Sequence, residues 1–351
     1  MTEIDKKPPK ISVVLPVHSA DPYLALALDS LLAQTFKDFE IIAINDGSTD
    51  LSGKILNEYA LKDSRIRVFH RAQRGLVVTL NEGIDLARGE WIARMDADDI
   101  ALPRRFELQL EHLFRTEPDF CGGAVQCFGD SRAIWRYPES NEAIGIQLLF
   151  NVPFAHPTVI GRAAAFRKLR YNSSFTHAED YDLWQRAWTS GYQCTNVSDV
   201  VLRYRVHQNQ VTFKRKNEQK KIADLVRINH WLHLYPDLGK ERLMYEYNEE
   251  KFNKKSTELM IKGMQYGLLN IPESMHNIYL KGSLGILMRV AGNKPYVLFF
   301  WFKLYKSKNI NLLYTKFSGI LILLFLSAFR INSHTASFLW IRRIKNRLLS
   351  W

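Results

Sequence analysis

Over residues 1–125, short runs of apolar residues alternate with stretches in which apolar residues recur every three or four positions. The apolar runs have the length of buried β-strands and occupy residues 11–15, 39–44, 66–69 and 90–94. The intervening stretches predict amphipathic helices over residues 21–34, 50–61 and 76–87. Strands and helices that alternate in this order predict an α/β fold, with a mostly parallel sheet and helices on both of its faces.

Loops that carry polar side chains follow three of the predicted strands, at residues 16–18, 45–47 and 96–99. In open α/β sheets, ligands bind outside the carboxyl ends of the strands. Because the carboxyl ends of parallel strands meet at one edge of the sheet, these loops are expected to lie together. The pattern therefore predicts a ligand site at this edge.

The periodicity changes near residue 120. Residues 120–213 predict shorter strands and loops, with two helices near 141–150 and 179–190, whereas residues 214–351 predict mainly helix. The chain has a net charge of +12, yet residues 1–213 are close to neutral. No acidic residue follows Glu273, and the Lys and Arg residues beyond it equal the surplus of the whole chain. We therefore predict two domains, 1–213 and a basic helical region over 214–351.

The basic region is also strongly apolar in places, at residues 295–302 and 317–329. These runs are shorter than the roughly 20 residues that a membrane-spanning helix needs. Phe, Leu and Trp interleaved with Lys and Arg are typical of helices that lie in the headgroup layer, so we predict association with an anionic membrane surface. The alternative is that these apolar stripes pack on the rest of the protein. Nucleic acid is not expected as a partner, because no recognition motif accompanies the charge.

Composition narrows the class of protein. Apolar residues make up 46% of the chain and charged residues 24%, which is enough apolar surface for a packed core. The three Cys residues have no C-x-x-C spacing, which disfavours a disulfide scaffold or a structural zinc site and favours a reducing compartment. Residues 1–10 are polar and lack the apolar segment of a secretory signal. We expect a cytoplasmic protein, peripheral on the inner face of the cytoplasmic membrane.

Three carboxylates, those of Asp96, Asp98 and Asp99, directly follow the last predicted strand of the first 125 residues. Left unpaired, they would repel one another. A hard divalent cation such as Mn²⁺ or Mg²⁺ removes this repulsion, because carboxylate oxygens are its preferred ligands. The alternative is that Asp98 or Asp99 caps the helix that is predicted to begin near Leu102.

Six segments resemble, in order and spacing, the motifs of family 2 glycosyltransferases, which have the GT-A fold. They are Ser12–Val17 (SVVLPV), Ile44–Asp50 (INDGSTD), Ala93–Ile100 (ARMDADDI), His156–Thr158 (HPT), Ala178–Trp184 (AEDYDLW) and Tyr204–His207 (YRVH). A single Asp-x-Asp pattern is common by chance, whereas six ordered matches are specific. The resemblance covers the first 210 residues and leaves the basic helical region outside it.

The resemblance implies a nucleotide-sugar site made of Pro16, Val17, Asp46, Arg74, Arg94 and Asp96. Asp46 is similar to the family's base-binding acid, which accepts the N3–H of uracil and so favours UDP. Its other interpretation is an Asx turn at Asp-Gly-Ser. For Arg74, contact with a phosphate and a solvated charge both stay open. Arg94 would neutralise the neighbouring acids or the sugar phosphate.

The resemblance also implies the catalytic and metal-binding residues. Asp180 would be the general base that takes the proton of the acceptor hydroxyl, with Glu179 orienting the acceptor. Asp98 and His207 would bind Mn²⁺ or Mg²⁺, and His156 would line the acceptor side. The alternative for Asp180 is simple complementation of the helix dipole. For the two histidines, the alternative is an ordinary structural role.

These motifs imply an inverting, metal-dependent glycosyltransferase. It would move a hexosyl or N-acetylhexosaminyl group from a UDP-sugar to a hydroxyl of a glycan or lipid-linked glycan, in the biosynthesis of a bacterial surface polysaccharide or lipooligosaccharide. One alternative is a nucleotidyltransferase, which would leave Glu179 and Asp180 unexplained. The other is a non-catalytic protein that binds glycans or membranes on a degenerate GT-A scaffold, which the intact acids disfavour.

Overall fold

The computed structural model describes residues 7–207 and 216–234, together with several positions between 236 and 283. The chain divides into two compact units. The first comprises residues 1–144 and 152–223, and the second comprises residues 145–151 and 224–351. The apolar runs at 295–302 and 317–329, on which the membrane prediction depends, lie outside the described residues.

Nine strands of the described chain form one sheet. They are β1 Ile11–Val17, β2 Phe39–Asp46, β3 Ile66–Arg71, β4 Trp91–Arg94, β5 Ile100–Ala101, β6 Phe120–Gly129, β7 Ile134–Trp135, β8 Ile160–Arg162 and β9 Cys194–Val206. Their order is β3-β2-β1-β4-β8-β6-β9-β5, and β7 pairs with β6. The first four strands are mutually parallel, as predicted. The strands β5, β7 and β8 pair antiparallel with their neighbours, while β6 and β9 are parallel.

The described residues form eight α-helices. They are α1 Asp21–Leu32, α2 Ser52–Lys62, α3 Leu76–Leu86, α4 Arg105–Thr116, α5 Asn141–Leu148, α6 Ala163–Leu169, α7 Glu179–Thr189 and α8 Lys216–Leu234. The six helices that the sequence predicts before residue 213 are all present, and the one expected near Leu102 begins at Arg105. Their presence confirms the α/β fold class. At the start of α2 the N-cap position is Leu51, one residue after Asp50, and the Asp50 carboxylate accepts a hydrogen bond from the N–H of Ser52 (3.0 Å).

The central strands β1 and β2 are buried on both faces, which explains why their sequences are continuously apolar. Near its start, β2 carries a buried acid, Glu40. Its carboxylate accepts hydrogen bonds from Ser12 (2.7 Å), Arg67 (2.9 Å) and Arg88 (3.0 Å). Burial by itself would raise the pKa of Glu40, but these hydrogen bonds outweigh it and lower the pKa. The acid therefore joins β1, β2 and β3 near the amino ends of β1 and β2, away from the predicted site.

The helix α7 is anchored by Trp184, which is completely buried. The rings of Phe120 and Phe154 pack edge-on against it, with centroids 5.6 and 5.0 Å away. Phe120 begins β6, so this contact joins α7 directly to the sheet. Such large buried aromatic rings contribute strongly to core stability. The contact holds the acidic start of α7 in a defined position.

In the second unit, residues 224–234 of α8 bond to backbone carbonyls of residues 145–151. Arg227 Nε donates to the carbonyl of Phe150 (2.9 Å), and Trp231 Nε1 donates to the carbonyl of Leu149 (3.1 Å). These bonds satisfy backbone acceptors in the turn that follows α5. Of the helices that the described residues form, none combines the length and the apolar character that crossing a membrane requires.

Candidate active site

The carboxyl ends of β1, β2 and β4 lie side by side, because β1 pairs in parallel with both other strands. This arrangement brings together the loops that follow residues 17, 46 and 94, as the sequence predicts. Within this edge, Pro16 is partly exposed, whereas the Val17 side chain is buried in the hydrophobic core. The His18 ring bonds through Nδ1 to the carbonyl of Asp46 (2.8 Å) and so joins the ends of β1 and β2.

Asp46 holds the loop between β3 and α3 against the end of β2. Its Oδ1 accepts the N–H of Arg74 (2.7 Å), and its Oδ2 accepts the N–H of Gly75 (2.8 Å). Arg71 adds an ion pair to Oδ1 at 2.9 Å. The close approach of the two loops requires glycine at Gly47, where φ is +68° and a Cβ would lie 2.6 Å from the nitrogen of Gln73.

Two sequence interpretations change as a result. The side chain that bonds the backbone of this turn is Asn45, whose Oδ1 accepts the N–H of Ser48 (3.1 Å), and not Asp46. Arg74 contributes its backbone N–H to the loop, while its side chain is exposed. Sequence reasoning missed Arg71, although it ends the third parallel strand at the same sheet edge as the other loops.

Residues 96–99, here called the acidic loop, are held by two buried arginines, Arg94 and Arg105. Arg94 is only 4% exposed and forms an ion pair with Asp96. Burial by itself would lower the pKa of Arg94, but attraction to Asp96 outweighs it and raises the pKa. Arg105, in the first turn of α4, donates to the carbonyl of Arg94 (2.8 Å). Burial and the charge of Arg94 lower the pKa of Arg105 to about 9, so it remains charged at neutral pH. Sequence reasoning missed Arg105, which holds the backbone at the start of the acidic loop.

Asp96, Asp98 and Asp99 converge, each offering an oxygen within 4.8 Å of the others. Burial, followed by repulsion from Asp96, raises the pKa of Asp98. Burial and the charges of Asp96 and Asp98 raise the pKa of Asp99 well above its usual value. A bound cation would relieve this repulsion, and the all-oxygen donor set suits a hard divalent ion. The residues present therefore fit Mn²⁺ or Mg²⁺.

The helix-cap interpretation of Asp98 and Asp99 is wrong. The next helix, α4, begins at Arg105, and its N-terminus has no side-chain cap. Asp99 is 1% exposed and accepts the backbone N–H of Arg205 on β9 (2.8 Å). The carboxylate of Asp98 contacts Nε2 of His207 at 3.2 Å. The acidic loop is thus bound to the end of β9, and His207 lies beside Asp98, where the proposed metal ligation would require it.

Asp180 and Glu179 begin α7, as the sequence predicts. Burial and the neighbouring charge of Glu179 raise the pKa of Asp180 to about 7. Burial likewise raises the pKa of Glu179. Asp180 also accepts the N–H of Tyr181 (2.7 Å), so its contact with the helix N-terminus is real and does not prevent a catalytic role. Asp182 instead pairs with Arg186 (2.7 Å) on the same helix.

His156 is a neutral ring held in place by a tyrosine. Its Nε2 lies 2.7 Å from the hydroxyl of Tyr171, and both Asn81 hydrogen bonds to the Tyr171 backbone measure 2.9 Å. Burial and the positive charge of Arg94 lower the pKa of His156 well below its usual value. The charges of Asp180 and Glu179 contribute to a raised pKa of Tyr171, for which burial is the largest cause. The pair therefore lies near Glu179 and Asp180.

The α/β sheet, with carboxylates gathered at the carboxyl ends of its parallel strands, is that of a glycosyltransferase with the GT-A fold. The family model for glycosyl transferase family 2 matches residues 12–171. An uncharacterized glycosyltransferase of Haemophilus influenzae is 30% identical over 271 residues, covering 70% of this chain and 83% of the relative. The chain belongs to glycosyl transferase family 2, and it is a glycosyltransferase.

Two further comparisons agree. The O-antigen biosynthesis glycosyltransferase WbnJ of Escherichia coli is 32% identical over 203 residues, which cover 56% of this chain and 80% of WbnJ. Among solved structures, residues 1–349 of TarS from S. aureus in complex with UDP-GlcNAc superpose with a TM-score of 0.53. That comparison has 17% sequence identity and covers 85% of this chain and 89% of the TarS chain, so it supports the shared fold.

Proposed function

We propose that this glycosyltransferase is an inverting, metal-dependent enzyme that uses a UDP-sugar. Its acceptor would be a hydroxyl of a glycan or lipid-linked glycan in the biosynthesis of a bacterial surface polysaccharide. The observation that carries the proposal is the convergence of Asp96, Asp98 and Asp99 at the carboxyl edge of the sheet. The E. coli relative named for O-antigen biosynthesis and the neighbour in complex with UDP-GlcNAc support the acceptor and donor classes.

The chemistry follows from the positions of the acids. Asp180 would take the proton of the acceptor hydroxyl, because a base with a pKa of about 7 is half ionised near neutral pH. Attack of that oxygen on the face opposite the leaving group inverts the anomeric carbon. Asp98 and His207 would hold the metal, with Asp96 on the sugar or ribose. When bound, Mn²⁺ or Mg²⁺ would stabilise the negative charge that develops on the departing diphosphate.

Asp46 has one hydrogen-bond acceptor position left for the base. An ionised carboxylate offers about four acceptor positions, and Arg71, Arg74 and Gly75 use three of them. The remaining position suits the N3–H of uracil. Because Asp46 also holds the loop beside it, we propose that it both shapes the base pocket and recognises the base.

A donor screen tests this proposal. With MnCl₂ present, we expect one of UDP-glucose, UDP-galactose, UDP-GlcNAc or UDP-GalNAc to release UDP and to raise the Tm by about 3 °C or more. GDP-mannose and ADP-glucose, which carry purine bases, are the matched controls and should do neither. A larger response to GDP-mannose, or UDP release that EDTA leaves unchanged, would contradict the proposed donor or the proposed metal.

We also propose that the basic region over residues 214–351 binds anionic membrane surfaces, with the enzyme peripheral on the inner face of the cytoplasmic membrane. The support is its sequence, in which Lys and Arg alternate with Phe, Leu and Trp and no acid follows Glu273. A membrane location would bring the enzyme to a lipid-linked acceptor.

Vesicle flotation tests the membrane proposal. The full chain should float with phosphatidylglycerol vesicles and not with phosphatidylcholine vesicles. Four substitutions to Gln in one chain should lower the partition coefficient at least roughly tenfold, since each basic residue near the surface contributes about 1 kcal/mol. They are Arg342→Gln, Arg343→Gln, Lys345→Gln and Arg347→Gln. The control replaces four exposed basic residues of the first unit, Lys37, Lys54, Lys62 and Arg115, with Gln. Equal loss in both variants would refute a specific role for the basic region.

A further inference from the structure

The edge strand β7 exposes two large apolar side chains in succession. Ile134 is 51% exposed and Trp135 is 41% exposed. Single exposed apolar residues are ordinary, but an exposed Trp is a large apolar surface that proteins commonly use for binding. What Trp135 can bind depends on the face of the sheet to which it points and on its neighbours there.

Strand register places Trp135 on the same face as Tyr204. Trp135 lies opposite Val125 on β6, and Tyr204 lies beside Cys127 on the same strand. Residues paired across strands, and residues two apart along a strand, share a face. The Trp135 and Tyr204 rings are in contact, with centroids 5.3 Å apart. We call these two rings the aromatic platform.

The platform is next to the acidic loop. Tyr204 directly precedes Arg205, whose N–H is hydrogen-bonded to Asp99, and His207 follows on the same segment beside Asp98. Burial and the charges of Asp96, Asp99 and Asp98 raise the pKa of Tyr204. The strand β6 lies between β7 and β9. Because neighbouring strands are about 4.8 Å apart, β7 is roughly 10 Å from β9. The platform therefore extends from Tyr204, beside the acidic loop, to the edge strand β7.

Tyr137, which follows the platform strand, is within electrostatic reach of the proposed base. Tyr137 follows Trp135 by two residues and packs on the hydrophobic core together with Tyr204. Burial is the main cause of a raised pKa at Tyr137, and the charges of Cys127 and Asp180 add to it. The Trp135 ring itself contacts Tyr204, on the strand whose end binds the acidic loop.

We propose that the aromatic platform of Trp135 and Tyr204 is an acceptor subsite, on which a pyranose ring of the acceptor glycan stacks. This inference rests on the proposed function. The apolar C–H face of a pyranose complements the electron-rich face of an aromatic ring, as other positively polarised groups do. Exposed Trp135 supplies most of the free ring surface, and Tyr204 lies on the side of the reacting groups. The occupant is a sugar because the platform ends at acids suited to sugar transfer.

The test compares acceptor-dependent and acceptor-independent turnover. The preferred UDP-sugar is supplied at saturation with MnCl₂, and UDP release is measured with and without p-nitrophenyl glycosides of glucose, galactose, mannose, GlcNAc and GalNAc. Trp135→Ala should raise the KM for the stimulating glycoside roughly tenfold, as loss of a central aromatic contact does. The kcat, the UDP release without glycoside and the Tm should change little. Trp135→Phe should recover most of the affinity because it keeps an aromatic face.

Ile134→Ala is the matched control, because Ile134 is the adjacent and more exposed residue, and it points to the opposite face of the same strand. It should leave the acceptor KM within about twofold. An unchanged KM in Trp135→Ala would overturn the subsite. So would a wild-type enzyme that hydrolyses its donor but is stimulated by none of the glycosides. Absence of UDP release from every donor would instead overturn the proposed function and, with it, the subsite.

Discussion

Replacing Asp180 with asparagine should lower sugar transfer roughly a thousandfold, the size of effect expected when a general base is lost. Asn has nearly the same shape and can still accept the N–H of Tyr181 through its amide oxygen. The donor site should therefore remain intact, and the affinity for UDP with MnCl₂ should change less than twofold. Steady-state transfer and UDP titration on the same preparation measure both. Wild-type-like turnover would refute the assignment of the base.

The pH dependence gives a second readout for Asp180. Because burial and Glu179 raise its pKa to about 7, the active, ionised form accumulates as the pH rises through 7. The kcat/KM of the wild-type enzyme should rise over this range. The residual activity of Asp180→Asn should lack that rise. Asp182→Asn is the control on the same helix, since Asp182 pairs with Arg186, and it should keep the wild-type pH profile.

The stability of the Asp180→Asn variant should change in the opposite direction to its activity. The pKa of Asp180 is raised from 3.8 in the unfolded chain to about 7 in the folded protein. Its contribution to stability is therefore fully present below pH 3.8 and is lost as the pH rises through about 7. Asn is always neutral and also removes repulsion on Glu179. The variant should have a higher Tm than the wild type at pH 8, and the difference should shrink toward pH 4.

Replacing Asp98 with alanine should weaken metal-dependent UDP binding by roughly a hundredfold or more, because even indirect partners of metal ligands contribute 10- to 100-fold to affinity. Asp98 is central to the acidic loop, contacting His207 and lying within reach of Asp96 and Asp99. Its removal should also relieve repulsion, so the metal-free variant should unfold at the same or a higher Tm. Addition of MnCl₂ with UDP should then no longer raise the Tm, which a thermal-shift titration measures.

EDTA and two variants make the Asp98 result specific. Wild-type protein in EDTA should bind UDP as weakly as Asp98→Ala does. His207→Ala should show a smaller loss in the same direction if His207 is a further ligand. Asp199→Ala removes an exposed acid on the same strand β9 and should behave as wild type. A UDP titration that is identical with and without EDTA would remove the metal from the proposed function.

Features that depend on residues adjacent in the chain could be predicted from the sequence. The burial of β1 and β2 on both faces makes their apolar runs conspicuous, and the acid pair at Glu179 and Asp180 directly opens a helix. The acidic loop is equally local, because Asp96, Asp98 and Asp99 lie next to one another along the chain. The carboxyl-edge rule for parallel sheets then predicts that these groups meet.

Contacts between segments that are far apart in the chain could not be predicted in this way. The interpretation of Asp99 as a helix cap fails because its partner is the N–H of Arg205, more than one hundred residues later. The alternative interpretation of Asp46 as a turn residue fails in the same way, because Asp46 accepts hydrogen bonds from the loop after β3. The pairing of His156 with Tyr171 has no periodic signal, because it depends on how two loops cross.

The sequence by itself determined the alternating strands and helices, the edge at which the site forms and the separation of charge along the chain. Hydrophobic periodicity and composition are local properties, and so they are visible without coordinates. Only the tertiary structure decided which partner each acid has, how far the pKa of Asp180 rises and that Trp135 faces Tyr204. The physical reason is that burial and strand register depend on residues far apart in the chain, and register alone sets the face to which a side chain points.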